Sequence, residues 1–547
     1  MDFIVSTAPI VILIYLMTKK NSVPSYLALP AVALLMYAIK LIYFAAAPDL
    51  IHASVLNGLL SAWTPILIIW GAIFLFKTME HSGAMDVIRT WLTEITDNRV
   101  AQLMIIGWAF AFLIEGASGF GTPPALAAPL LVGLGFKPLK VAIFCLMTNT
   151  VPVSFGAVGT PTWFGLGALQ LENSQILKIS FDSALMHACA ALVIPLIALN
   201  FVVTWQEIKA NLIFIYLSIL SCAIPFVVLA KFNYEFPAII GGMIGLIISV
   251  ILAQKGIGLV PESNKQIHNS RVSFKQLFKA LFPLWGTVII LLVTRIPELG
   301  LKGILNSETP ALKLILGSLA DMSISSALVI RLEHIFGTQT SWVFQTLYIP
   351  ALIPFFLISF IAFFLFGIKK EVAKRVAAES YERIQKPMLA LLGALVMVKL
   401  LMVGGERAPV MIIGNTFADA VGPYWQYFAA YLGALGSFFS GSATISNLTF
   451  GGIQTSIAKN LMFDITVILS LQSVGAAMGN MVCINNIVAV CSVLGIEKKE
   501  GDILNCRALA LKVQDATAFF QEAAARVEET TWSILKRAAV WQLNRYL

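Results

Sequence analysis

Read from its first residue, the chain is a succession of apolar runs separated by short polar stretches. The first, MDFIVSTAPIVILIYLMTKK, lacks a basic leading segment and a small-residue cleavage site, so it predicts a first helix closed by Lys19 and Lys20 rather than a removable signal. Further runs lie at roughly 24–47, 56–77, 101–120, 122–136, 139–157, 183–204, 211–230, 236–253, 281–294, 343–367, 388–403, 424–440, 464–478 and 484–496. A membrane-spanning helix needs about 20 apolar residues, so the length accommodates roughly 12 to 14 crossings. Threading the runs alternately through a bilayer puts the basic segments on one face. These are Lys19/Lys20, Lys77 to Arg99, Lys137/Lys140, Lys209, and the runs 255–279 and 369–386, with Lys498/Lys499 joining them if 441–460 dips in and returns. That face is cytoplasmic by the positive-inside bias. The stretch 295–342 mixes charges with apolar turns and fits either an external loop with amphipathic helices or a hairpin packed inside the bundle.

Composition agrees with this reading and removes two classes. Apolar residues make up 58% of the 547 and charged residues 12%, with a mean hydropathy of +0.85. A soluble protein needs more polar coat than that, and a disordered chain would be poor in apolar residues. The expected fold is an all-α polytopic membrane protein with two pseudo-repeated halves containing broken or re-entrant helices. The net charge of +8 follows from basic cytoplasmic loops and does not call for nucleic acid. Five of the six cysteines (Cys145, Cys189, Cys222, Cys483 and Cys491, but not Cys506) sit in apolar stretches without metal-type spacing, so packing is their expected role. No cofactor or metal is expected.

Two blocks carry candidate chemistry. FLIEGASGFGTPPALAAPLLVGLGFKPL (112–139) is followed by TNTVPVSFGAVGTP (148–161), and GSFFSGSATISNLTFGGIQ (436–454) by QSVGAAMGNMVCINNIVAV (472–490). Each places a Gly/Ser/Thr-rich break inside an apolar helix, with a second break further on. Non-helical backbone is tolerated at membrane depth only where protein or a water-filled cavity covers it. Matching interrupted helices in two halves of a chain point to a transporter's substrate site, where half-helix N-termini suit an anion. Small residues that merely let helices pack closely are the plainer alternative. Glu115 stands beside the first break. Burial penalises a charged carboxylate there, which makes Glu115 the candidate proton-coupling group; capping the broken helix is its structural alternative. Lys399, within LVMVKLLMV, is the candidate for attracting an anion, with snorkelling to the interface as its alternative. His187 is central to a span and is expected to be a hydrogen-bonded packing residue. Asp321, Glu333, His334, Glu406 and Arg407 are expected to be structural.

Glu115-Gly-Ala-Ser-Gly-Phe-Gly-Thr-Pro123, LVGLGFKPL at 131–139, and Asn149 through Gly159 resemble the bacterial L-lactate permease family. So do Gly441-Ser-Ala-Thr-Ile-Ser-Asn447 and the Gly-Ile-Glu-Lys-Lys-Glu-Gly-Asp run at 495–502. The resemblance runs from about residue 1 to 505 and implies a secondary carrier of lactate and related 2-hydroxy monocarboxylates, proton-coupled, in the bacterial inner membrane. It also implies kinship with the wider ion transporter superfamily. The substrate site is expected at Gly116, Ser118, Gly119, Gly121, Asn149, Ser154, Ser442, Thr444, Ser446, Asn447 and Asn480, with Glu115 carrying or gating the proton. The expected partners are a small organic anion, H⁺ and the bilayer.

Three departures from the family pattern stand out. Ala443 takes the place of an Asp, Gly479-Asn-Met-Val-Cys-Ile-Asn485 replaces a run with Lys and Pro, and 506–547 reads as a charged, partly amphipathic cytoplasmic tail in place of a last helix. The first two suit a carrier of a different carboxylate or organic anion, Na⁺-coupled in one version. Two rivals come from other classes. Gly116-Ala-Ser-Gly119 matches a short motif of rhomboid-type intramembrane serine proteases, which would need Ser118 paired with a histidine such as His187. A passive channel is the other.

Overall fold

The computed structural model describes residues 1–18, 23–119, 121–260, 272–295, 299–349 and 352–496. The charged tail at 506–547 and most of the 495–502 run lie outside the described residues, as do Lys19/Lys20, Lys265, Arg271 and Lys498/Lys499. The protein is a polytopic helical membrane protein. Among the described residues, seven helices are long and apolar enough to cross a membrane, or up to nine if each of two sharply bent pairs is one span, and shorter apolar helices accompany them. The chain forms two compact units, each assembled from separate stretches: Met1–Thr90 with Arg271–Ile413, and Trp91–Ser270 with Gly414–Leu547.

The first unit is organised around the long helix Lys370–Met402, which packs against Ser25–Ile42, Pro48–Ser61 and Trp63–His81. Glycines let the backbones close in. A Cβ at Gly58 would lie 2.8 Å from Val396 Cα, and one at Gly393 would lie 2.4 Å from Pro30 N. Glu379 on the long helix ties down Lys77 (2.9 Å) and His81 (3.1 Å) of its neighbour. The unit also holds the one sheet among the described residues, an antiparallel meander of β1 (Ala311–Ile315), β2 (Asp321–Ser325), β3 (Val329–Glu333) and β4 (Trp342–Gln345). Neither an amphipathic-helix loop nor a hairpin packed in the bundle describes 295–342. DMSIS and VIRLE alternate polar and apolar residues with the period of a strand. Leu332 and Met322 of these strands, with Ala320 and Ile335 just outside them, cluster with Ala53, Leu56 and Leu60.

The second unit contains both interrupted blocks. Its elements are α1 (Arg99–Ser118), α2 (Thr122–Gly133), α3 (Pro138–Thr148), α4 (Gly156–Trp163), α5 (Asn173–Val202), α6 (Leu212–Ala230), α7 (Pro237–Gln254), α8 (Trp425–Ser440), α9 (Ala443–Asn460), α10 (Ile465–Met481) and α11 (Ile484–Val493). The apolar window of α1 is wholly buried, and eight of its residues, Leu103–Phe110, take the wider π-helical form, a geometry often found near functional sites. It lies hard against α7: a Cβ at Gly116 would come within 2.4 Å of Ile239 N, and one at Gly242 within 2.4 Å of Leu113 N.

Candidate functional site

All four breaks anticipated from the sequence are present in this second unit. α1 ends at Ser118 and α2 starts at Thr122; α8 ends at Ser440 and α9 starts at Ala443. Each first break turns on a glycine of positive φ, Gly119 (+59°) and Gly441 (+73°), conformations that a side chain would strain. The second breaks separate α3 from α4, by way of a tight turn at Val153–Phe155, and α10 from α11.

Between the breaks lies a cavity with an empty volume of about 270 Å³, lined by Glu115, Gly119, Val153, Gly156, Ala157, Pro161, Gly441, Ser442, Ala443, Thr444 and Asn480. Glu115 is the one ionisable residue in that lining. Its side chain is 2% exposed, and Asn149 Nδ2 donates to its Oε2 at 3.0 Å. Gly156 makes room for it, since a Cβ there would fall 2.4 Å from Glu115 Oε1. The wall beside it is left-handed at Ala157, Val158 and Gly159, a conformation costing about 1–2 kcal/mol per non-glycine residue. Side chains hold it: Trp163 Nε1 donates to Val158 O (2.9 Å), and the Thr160 hydroxyl donates to Ala157 O. The N-terminus of α9 meets the same cavity through Ser442, Ala443 and Thr444. Ser442 caps it by accepting from Ile445 N, while the first N–H groups of a helix have no intrahelical acceptor and suit a negative charge.

Of the residues expected at the site, Glu115, Gly119, Ser442, Thr444 and Asn480 line the cavity, and Asn149 stands behind Glu115. The others serve the walls. Gly116 packs on α7, and Gly121 faces Asn486, whose amide donates to Asn480 Oδ1 at 2.8 Å. Ser118 Oγ donates to Ile114 O of its own helix. Ser446 Oγ donates to Gly433 O and accepts from Gln472 Nε2, and Asn447 Nδ2 donates to Pro161 O at 2.9 Å, joining the two blocks. Ser154 shares a 2.8 Å hydrogen bond with His187 and accepts another from Ser473 Oγ. The Ser118–His187 pairing that a protease would require is therefore not formed. Lys399 belongs to the first unit, on Lys370–Met402, and is not among the lining residues. Val153, Gly156, Ala157 and Pro161 were not singled out from the sequence. The signal for the last three was the Gly/Pro content of GAVGTP, which marks a break but gives no direction.

Comparison with known proteins agrees with this architecture. The family model described as L-lactate permease matches residues 2–512. A Haemophilus influenzae protein bearing the provisional name L-lactate permease is 51% identical over 504 residues, covering 92% of this chain and 94% of that relative. The glycolate permease GlcA of Escherichia coli is 26% identical, covering 81% and 80%, and the L-lactate permease of Bacillus subtilis is 26% identical, covering 80% of each. Membrane-length and broken apolar helices and these relatives together define a multi-pass permease of the bacterial inner membrane. The chain belongs to the L-lactate permease family.

Proposed function

We propose that the chain imports L-lactate or a related 2-hydroxy monocarboxylate together with protons. The observation that carries this reading is that a single buried carboxyl, Glu115, and the N-terminus of α9 line the same small cavity. A substrate carboxylate would be drawn to the N–H groups at Ala443 and Thr444, with the Ser442 and Thr444 hydroxyls and the Asn480 amide as further donors. Its arrival brings a second negative charge into a cavity that already holds Glu115. Two carboxylates in one water-poor site repel, and a proton taken up by the pair removes that cost. Coupling then follows from proximity: neither the anion nor the proton binds well without the other. The names of the lactate and glycolate relatives support a 2-hydroxy monocarboxylate as the anion. A second reading, a different small carboxylate, is favoured by Ala443, an apolar lining residue where the family pattern carries Asp.

The test is uptake of labelled L-lactate into liposomes containing the protein under an inward proton gradient, with unlabelled competitors. Accumulation should collapse with an uncoupler and be competed by glycolate. Glu115→Gln should abolish accumulation driven by the pH gradient while leaving counterflow partly intact. Undiminished accumulation in that variant removes Glu115 from coupling, and competition by another carboxylate alone identifies the second reading.

A further inference from the structure

The site contains an orphan. Asn149 closes the C-terminal end of α3 and donates through Nδ2 to Glu115 Oε2 at 3.0 Å, yet its Oδ1 is fully buried with no hydrogen-bond partner. Buried polar side-chain atoms are nearly always paired, and leaving one unpaired is destabilising. An amide, however, is close to symmetric in shape: a half-turn of its terminal torsion exchanges N for O within the same space. The carboxylate form of Glu115 accepts only and needs the Nδ2 donor. The protonated form carries an O–H and needs an acceptor, which Oδ1 supplies after the half-turn.

We propose that Asn149 is a positioning residue that reads the proton on Glu115, presenting Nδ2 to the carboxylate and Oδ1 to the acid, so that each protonation state is hydrogen-bonded although both side chains are buried. This rests on the proton-carrying role proposed above for Glu115. No other charge competes for the part. The elements packed on the Glu115 end of α1 are α2, α4, α7, the Leu103–Phe110 stretch and the Val153–Phe155 turn, and none contains Asp, Glu, His, Lys, Arg, Tyr or Cys. Of the adjoining elements, α3 carries Cys145 and the exposed Lys140, and α5 carries the exposed Lys178 together with Asp182, Cys189 and His187, the last bonded to Ser154. The flip moves the side chain where α3 gives way to the turn forming one wall of the cavity, so a proton on Glu115 is registered beside the substrate.

Two measurements on the full-length protein in liposomes test this. The first is pH-difference infrared spectroscopy of the wild type carrying ¹³C-asparagine. An asparagine amide carbonyl band should shift together with the acid band of Glu115, and both changes should vanish in Glu115→Gln; the labelled asparagine change alone should vanish in Asn149→Gln, which assigns it to Asn149. The second is the pH profile of lactate uptake. In Asn149→Leu the carboxylate loses more than the acid does, since hydrogen bonds to charged groups are the stronger, so the pH of half-maximal uptake should rise by about one unit, a ten-fold change in proton concentration. An acid band that titrates with no labelled asparagine band beside it overturns the proposal. So does a wild-type profile in a folded Asn149→Leu; if that variant does not fold, the wild-type spectrum decides. A wild-type profile in Glu115→Gln instead overturns the role of Glu115 itself.

Discussion

The two first breaks of the second unit are built alike and used differently. In both, a glycine N–H closes on the carbonyl four residues back: Gly119 on Glu115 at 2.9 Å, Gly441 on Ser437 at 2.8 Å. Glu115 and Ser437 therefore occupy matching positions. Glu115 turns its carboxyl to Asn149 and the cavity, whereas the Ser437 hydroxyl donates to the Ala476 carbonyl of α10. Around the first break the polar partners are few, and the buried Asn149 Oδ1 and Thr150 Oγ1 have none. Behind the second, α8, α9 and α10 are joined by a chain of buried bonds: Trp425 Nε1 to Gln454 (2.8 Å), Gln454 Nε2 to Gln472 (2.9 Å), and Gln472 Nε2 to Ser446 (3.1 Å). A repeated scaffold supplies two half-helix ends. The difference between them shows one end kept polar and neutral, and the other given a group that can change charge.

The largest effect comes from exchanging the two positions. Ser437→Glu combined with Glu115→Ser keeps one carboxyl at the two breaks but places it where the wild-type side chain is fully buried and bonded to backbone. Proton-driven lactate uptake should fall to the level of protein-free liposomes in the double variant, as in Glu115→Ser alone. Restored uptake would show the two ends to be interchangeable and dissolve the comparison.

The contrast was partly legible beforehand. A lone carboxylate in an apolar run identifies Glu115, and Gly/Ser/Thr breaks in apolar helices locate both pairs of half-helices. The direction of each hydroxyl or amide was not legible. Ser118, Ser446 and Ser442 are the same kind of residue in the same kind of segment, yet one bonds its own helix, one a neighbouring helix, and one caps α9 at the cavity. A helix always offers a serine its own carbonyl four residues back, so residue type alone leaves the choice open. Gly156 was invisible for another reason: its importance is the space it leaves for a carboxyl 41 residues earlier, which only the packed structure reveals. The sheet was missed because strand-like alternation over five residues is faint in a chain that is 58% apolar.

A smaller effect should follow from Gln454→Leu. It removes the acceptor for Trp425 Nε1 and the donor to Ala429 O and Gln472 Oε1, at about 1–3 kcal/mol for each group left unpaired. The midpoint of thermal unfolding in detergent should drop clearly. Because this network belongs to the neutral end, the pH of half-maximal uptake should stay where it is in the wild type. A shifted pH profile would mean that the two ends share the proton after all.

The smallest effect is expected at the ion pair between Lys178 of α5 and Asp464, 2.5 Å apart with both side chains about half exposed. Such pairs contribute about 0–1 kcal/mol, so Lys178→Met should leave uptake and the unfolding midpoint nearly unchanged. Asp464 does a second job: its carboxylate accepts from the Thr466 N–H at 2.8 Å and the Thr466 hydroxyl at 2.7 Å, capping α10. Asp464→Ala should therefore cost about 1 kcal/mol through the lost cap, more than removing the lysine. The inequality isolates what anchors the neutral end. If the lysine variant proved the more damaging, charge pairing and not helix capping would be holding α10 in place, and the second half would be less neutral in its construction than its cavity wall.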